Sequence, residues 1–137
     1  KWIRMHQVNL YNLATPVVLT GTTSETTMLT TSIPAGLMNK RGRANVFVLL
    51  SLTNNANAKI VKVKIGGQLV AATTSTNQSV LGFSGWMLNL NSETSQRTGN
   101  AVSSTVDTTI ANDLVITGQL ANSADTVTVI AVSVEII

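Results

Sequence analysis

Reactive side chains are scarce in this sequence of 137 residues. It has no cysteine, which excludes disulfide bonds and thiolate metal sites. The single histidine, His6, is the only imidazole base that a serine triad could use, and no nucleophile motif accompanies it. No DxDxDG calcium loop occurs, and the aspartates are interpreted as caps of turns. We therefore expect a protein that is not an enzyme and has no cofactor, no metal site and no catalytic residue. The six carboxylates are scattered along the chain: Glu25, Glu93, Asp107, Asp113, Asp125 and Glu135.

Charge is also scarce, at 11% of residues against about 25% in an average domain. Nine Lys and Arg residues against six acids leave a net charge of +3, too sparse for the basic stripe of a nucleic-acid-binding protein. No apolar run is long enough to span a membrane, so membrane insertion is not expected. A weakly charged surface repels its neighbours little, which suits a protein that packs against other subunits.

The residues that are abundant favour β-structure. The chain has 20 Thr, 16 Val and 9 Ile, all of which fit a pleated, half-buried surface better than a helix. Alternating apolar residues predict seven or eight strands between residues 21 and 137. We therefore predict an all-β fold, an antiparallel two-sheet sandwich of the jelly-roll type with an irregular N-terminal arm. Its predicted core includes Val46, Val48, Leu50, Leu52, Val61, Val63, Ile65, Ile130, Val132 and Val134.

Two strands and one pair of glycines give more specific predictions. Residues 43–53 and 59–65 alternate most clearly, and the short Asn-rich segment between them predicts a hairpin. In the strand predicted over residues 79–90, Gly82 and Gly85 indicate either a bulge or a close approach of another backbone.

The N-terminal segment differs from the remainder of the chain. Residues 1–20 are irregular and apolar, so we predict an N-terminal attachment arm there and a β-sandwich domain over residues 21–137. Too many of its side chains are apolar for a free tail in water, and they are predicted to form an assembly interface. The closing strand, residues 126–137, is apolar on both faces, which further suggests a homo-oligomer. The predicted interface residues are Trp2, Ile3, Met5, Leu10, Tyr11 and Leu13.

Few residues stand out as ligand contacts. Trp86 lies beside Gly85 and is a candidate for stacking on a sugar, although a core position is the more favoured interpretation. Basic residues cluster at Lys40, Arg41 and Arg43, and again over residues 59–64. The lysines of the second cluster are interpreted as a solvated strand face that discourages edge pairing.

Three stretches resemble modules of tailed-bacteriophage virion structural proteins, namely capsid decoration (cement) proteins and fibre proteins. They are TSIPAGLMNKRGRANVFVLLSLTNNANAKIVKVKIGG at 31–67, SETSQR at 92–97, and LVITGQLANSADTVTVIAVSVEII at 114–137. The resemblance implies a jelly-roll-like sandwich, often trimeric, on a phage particle. It transfers no catalytic residues, and the first 20 residues lie outside it.

Two functions follow as expectations. The first is a non-enzymatic virion structural protein, a capsid decoration or head-fibre component that contacts itself and partners such as the major capsid protein. The second is a receptor-binding tip of a tail fibre that recognises host carbohydrate. A polysaccharide hydrolase is a third and weaker alternative, because no pair of acids is evident. An exposed Trp86 would favour the second function, and an apolar arm protruding from the sandwich would favour the first.

Overall fold

A computed structural model describes residues 8–12, 15–99 and 102–137, with the backbone alone for residues 8–12. The described residues form β-strands and their connecting turns. No helix in this part of the chain is long and apolar enough to cross a membrane. The strands are β1 (Val8–Asn12), β2 (Val17–Thr20), β3 (Thr26–Ile33), β4 (Arg43–Leu52), β5 (Lys59–Ile65), β6 (Gln68–Ser75), β7 (Val80–Asn89), β8 (Gln96–Thr98), β9 (Ser103–Ser104), β10 (Asn112–Leu120) and β11 (Thr126–Ile136).

The strands form two antiparallel sheets that pack face to face. The larger sheet has seven strands in the order β1-β11-β4-β7-β8-β9, with β2 also paired to β11. The smaller sheet has four strands in the order β3-β10-β5-β6. The predicted all-β two-sheet sandwich is confirmed. Each sheet turns one apolar face inward, and together these faces form a single core.

Nine of the ten predicted core residues are buried, and Ile130 is the exception. Its side chain is 37% exposed because the pairing of β11 with β4 shifts register between Val129 and Ala131. Such a bulge adds one residue to one strand and reverses the alternation beyond it. Val127 and Val129 therefore face the same core as Val132. The apolar residues on the two sides of the bulge therefore lie on one face of β11. The strand is not apolar on both faces, so it gives no argument that its outer face is covered by another subunit.

The predicted hairpin of residues 43–53 with 59–65 is wrong. β4 pairs with β11 and β7 in the larger sheet, whereas β5 pairs with β10 and β6 in the smaller one. The Asn-rich segment between them therefore carries the chain from one sheet to the other. β5 instead forms a tight hairpin with β6, through Gly66 and Gly67, which both have positive φ. Two residues with positive φ match the turn that right-twisted antiparallel strands prefer.

Part of the predicted arm pairs with the domain. β1 and β2 both run antiparallel to β11, at its C-terminal and N-terminal halves respectively. In β2, Leu19 is buried while Val18 is 59% exposed. The predicted interface residues Trp2, Ile3, Met5 and Leu13 lie outside the described residues, and Leu10 and Tyr11 are placed only as positions in β1. Their role in assembly stays a prediction.

A buried polar network holds the end of the sandwich where β4 crosses to β5. The Lys59 side chain is 1% exposed, and its Nζ donates to Asn55 Oδ1 (2.5 Å) and to the Asn57 carbonyl (2.8 Å). Asn55 Nδ2 and Asn57 Nδ2 donate to the two carboxylate oxygens of Asp125, at 2.8 and 3.1 Å. Lys59 Nζ also lies 3.8 Å from Asp125 Oδ2. The network joins the segment between β4 and β5 to the turn before β11. These two segments lie within the stretches 31–67 and 114–137 that resemble phage virion modules.

Hydrogen bonds within this network also set the protonation of Asp125. Donation from Asn55, and then from Asn57 and the charge of Lys59, lowers the pKa of the Asp125 carboxyl against the opposing effect of burial. The carboxylate therefore stays charged where it supports three neighbours.

Candidate binding groove

The outer face of the larger sheet carries the candidate site. In the pairing of β4 with β7, Phe47 lies opposite Ser84 and Asn45 lies opposite Trp86. Phe47 and Trp86 are therefore diagonal neighbours on one face, with about 7–8 Å between such positions. A groove of ≈ 260 Å³ lies between and around them. It is lined by Asn45, Val46, Phe47, Ser84, Gly85, Trp86, Ser133 and Glu135.

Trp86 lies on the surface and not in the core that the sequence favoured. Its side chain is 39% exposed, and its indole lies over Gly99, where an added Cβ would be 3.4 Å from the indole Nε1. The Gly99 amide donates to the Trp86 carbonyl at 2.9 Å, which fixes the chain beneath the ring. A supported ring with an open face provides a large stacking surface at low cost in conformational entropy.

Phe47 is the second aromatic of the groove, and its ring is 46% exposed. It lies beside Gly82, where an added Cβ would be 3.1 Å from the ring carbon Cζ. The absence of a side chain at Gly82 therefore leaves room for the ring on the sheet surface. Sequence reasoning did not select Phe47, because its proximity to Trp86 depends on the β4–β7 pairing.

Gly85 lies on the inner face of the same strand, toward the smaller sheet. An added Cβ there would lie 2.5 Å from Ala71 Cβ and 2.9 Å from the Val70 carbonyl oxygen, so the smaller sheet approaches β7 closely at this point. The β4–β7 register runs without a shift past both Gly82 and Gly85. The predicted close approach of another backbone is therefore confirmed at Gly85, whereas Gly82 meets only side-chain atoms, and a bulge against β4 is not found at either glycine.

The floor of the groove is polar. Asn45 and Ser133 are half-buried and Ser84 is exposed. Within residues 15–99 and 102–137, the side chains of these three residues make no hydrogen bond with the protein. Glu135 supplies a carboxylate at one side and has a partner of its own. A concave surface with aromatic walls and a few open polar groups is the usual form of a small-ligand site.

A larger, shallower concavity of ≈ 640 Å³ lies on the outer face of the smaller sheet. The charged residues that line it are Glu25, Lys64 and Asp113. Glu25 accepts from Thr117 Oγ1 at 2.7 Å and from Lys64 Nζ at 3.1 Å. Lys62 Nζ lies 3.7 Å from Glu25. These lysines lie on a central strand, so the expectation that they protect a sheet edge is wrong.

The protonation of Glu25 bears on the hydrolase alternative. The hydrogen bond from Thr117, together with Lys64 and Lys62, lowers the pKa of the Glu25 carboxyl. A glycosidase acid needs a raised pKa, because it must donate a proton near neutral pH. Glu25 is therefore poorly suited to be that acid.

The acids do not gather into a metal site in the described part of the chain, where no three His, Cys, Asp or Glu side chains converge. Asp107 instead accepts from the backbone amide and the hydroxyl of Thr109, which lowers the pKa of its carboxyl. This is the turn-capping role expected for the aspartates. The expectation is wrong for Asp125, whose carboxylate accepts from Asn55 and Asn57 in the buried network.

No protein-family model matches the chain, and no curated protein matches its sequence. Among solved structures, the fold is similar to the CBM36-1 domain of a multidomain xylanase from the hindgut metagenome of Trinervitermes trinervoides, with 12% identity over 96% of this chain and 86% of that one and a TM-score of 0.49. It is similar to a CBM36 carbohydrate-binding module in complex with calcium and xylotriose, with 14% identity over 97% of this chain and 98% of that one and a TM-score of 0.48. Infectious bursal disease virus, Gt strain, matches at 10% identity over 98% of this chain and 33% of that one, with a TM-score of 0.41. At these values the likeness is one of β-sandwich architecture and says nothing about a ligand.

Proposed function

We propose that this chain is a non-enzymatic carbohydrate-binding module, the receptor-binding part of a tailed-phage virion structural protein such as a tail fibre. The observation that carries the proposal is the pairing of two exposed aromatic rings, Phe47 and Trp86, across the open polar groups of Asn45, Ser84 and Ser133. Pyranose rings present apolar C–H faces and a rim of hydroxyls. The rings would stack on the faces, while the polar floor would pair with the hydroxyls.

The virion setting rests on the sequence resemblance. The stretches 31–67 and 114–137 that carry it contain Asn55, Asn57, Lys59 and Asp125, the members of the buried network. The resemblance therefore includes residues that hold this sandwich together. Location on the particle surface and contact with the major capsid protein belong to the same proposal.

Binding to a panel of immobilised glycans, followed by calorimetry on those retained, tests the proposal. Trp86→Ala and Phe47→Ala are each expected to weaken binding by about 30-fold, equivalent to about 2 kcal/mol for an aromatic anchor. Ile110→Ala is the matched control, because Ile110 is an exposed apolar side chain that does not line the groove. Failure of the intact chain to bind any glycan, or unchanged binding by Trp86→Ala, would refute carbohydrate recognition here.

A second candidate is the structural role in capsid decoration or a head fibre, with a homo-oligomer, a trimer by the resemblance. One observation favours it. Val18, Val80 and Ile130 are also exposed on the outer face of the larger sheet, beyond the groove. Analytical ultracentrifugation of the intact chain tests it, with Val80→Asp and Ile130→Asp expected to lower the oligomer mass. A monomeric intact chain at high concentration argues against this candidate.

A further inference from the structure

Exposed basic residues lie beyond one end of the candidate groove. Arg43 on β4 pairs with Leu88 on β7, and Leu88 pairs with Arg97 on β8. Arg43 and Arg97 are both exposed, whereas their strand neighbours Ala44 and Gln96 are buried. The two arginines therefore flank Leu88 on the outer face, about 10 Å apart across two strand spacings. This row lies one pleat beyond the row that contains Asn45 and Trp86.

A fixed turn adds two further cations at the same end. Lys40 and Arg41 are exposed in the turn that leads into β4. The buried Asn89 side chain donates to the carbonyl of Asn39 at 2.7 Å and to that of Met38 at 3.3 Å, while the Asn89 amide donates to the Gly42 carbonyl at 2.9 Å. The position of the turn is thus set from inside the sandwich.

The basic residues at this end of the groove differ from the other described lysines in having no acidic partner among the described residues. Lys59 lies by Asp125 in the buried network, and Lys62 and Lys64 share Glu25 on the other sheet. The ion pairs found within residues 15–99 and 102–137 are those of these three lysines, and none involves the four cations near the groove. Guanidinium groups held on a sheet offer several N–H donors in a planar fork that matches carboxylate and sulfate geometry.

We infer that the groove binds an anionic polysaccharide, with a sugar ring between Phe47 and Trp86 and the acidic group of the neighbouring sugar on Arg43 and Arg97. This inference rests on the proposed function, since it names the ligand class of the same groove. Glu135 lines the groove on the β11 side of Asn45. The two exposed arginines lie instead on β4 and β8, so the anionic group of the ligand lies at that end of the groove.

Affinity electrophoresis and calorimetry near 0.15 M salt, the physiological ionic strength, test the inference, because exposed charges are then partly screened. The probes are polygalacturonate for carboxylates, a sulfated galactan for sulfates, and xylan and galactomannan as neutral chains. The double variant Arg43→Gln/Arg97→Gln is compared with Lys62→Gln/Lys64→Gln, which removes the same charge from the opposite face. Thermal melts of both variants verify that each remains folded.

We expect the intact chain to prefer one of the two anionic polysaccharides, and the arginine variant to lose at least about tenfold in affinity while the lysine variant loses little. Whichever anionic polymer is preferred identifies carboxylate or sulfate as the anchor. The inference is overturned if neutral chains bind as well as anionic ones, and if this binding is lost in Trp86→Ala but kept in the arginine variant. The proposed function would then still stand. Equal losses in both double variants also overturn the inference, since the attraction is then non-specific. Absence of binding to every glycan removes both.

Discussion

The network at the β4–β5 crossover and the groove on the larger sheet contain similar polar residues, but they differ in whether those residues have hydrogen-bond partners within the chain. At the crossover, the amides of Asn55 and Asn57 and the ammonium of Lys59 all find partners within the chain. In the groove, Asn45 and Ser84 find none among the described side chains, and exposed aromatic rings lie beside them. Saturated polar groups stabilise a fold, whereas open ones beside aromatic surface indicate recognition of something outside it. Under the proposed function, the residues of the network are structural and those of the groove contact the ligand.

The largest effect that would sharpen this contrast comes from two lysines on β5. Lys59→Met keeps the aliphatic stem but leaves Asp125 buried without its cation, and we expect a loss of about 3 kcal/mol in the free energy of unfolding. Lys62→Met, at a position one-third exposed, is expected to cost less than about 1 kcal/mol. Urea denaturation of the two variants checks this difference. Similar losses would mean that the crossover network contributes no more than a surface ion pair.

Two glycines of β7 give the next largest effect and divide stability from binding. Gly85→Ala places a methyl group against Ala71 and the Val70 carbonyl, and we expect a loss of about 1–3 kcal/mol from overpacking. Gly82→Ala meets the end of the exposed Phe47 ring and, at an ordinary contact distance of 3.8 Å, Leu49 Cδ1, so its stability is expected to change by less than about 0.5 kcal/mol. The shifted ring is instead expected to weaken glycan binding. Thermal melts and calorimetry on both variants measure the two effects, and loss of stability in Gly82→Ala alone would contradict this division.

The smallest expected effect is the change in the free energy of unfolding at acid pH. The pKa of Asp125 and that of Glu25 are lowered in the folded chain, from ordinary values of 3.8 and 4.5. A lowered pKa adds stability that is complete above the ordinary value and is lost as the pH falls through the folded one. We therefore expect the free energy of unfolding to be level for these groups above about pH 5 and to decline toward about pH 3. Glu25→Gln should remove part of that decline, and denaturation curves across this range that are identical to wild type would show that Glu25 plays no part.

The sequence predicted the faces of strands far better than their partners. Alternation at 46–52 and 61–65 states which side chains are buried, but it carries no information about which strand lies alongside. The short segment 53–58 is as compatible with a hairpin as with a crossover between sheets, and tertiary packing selects the crossover. At Ile130, the bulge reverses the alternation, and no glycine in β11 signals it.

The candidate groove was predictable only in part for the same reason. Trp86 could be selected from the sequence as a rare aromatic beside a glycine, but its pairing with Phe47 needs the β4–β7 register. Asn55 and Asp125 lie 70 residues apart, so their contact could not be read from spacing. Arg43 belongs to a basic cluster visible in the sequence, whereas Arg97 comes near it only because both residues pair with Leu88.

The position of β11 in the larger sheet has a consequence for the order in which the chain folds. Its residues, 126–136, pair with β1, β2 and β4, so this sheet cannot close until they are available. Contacts such as Val8 with Ile136 require loops that span nearly the whole sequence, and loops of that length make folding slow. During synthesis, β4 has no partner on that side until β11 leaves the ribosome, and its edge stays open to other chains. Expression at low temperature or with chaperones present is therefore expected to raise the soluble yield more than any single stabilising substitution in β5 or β10.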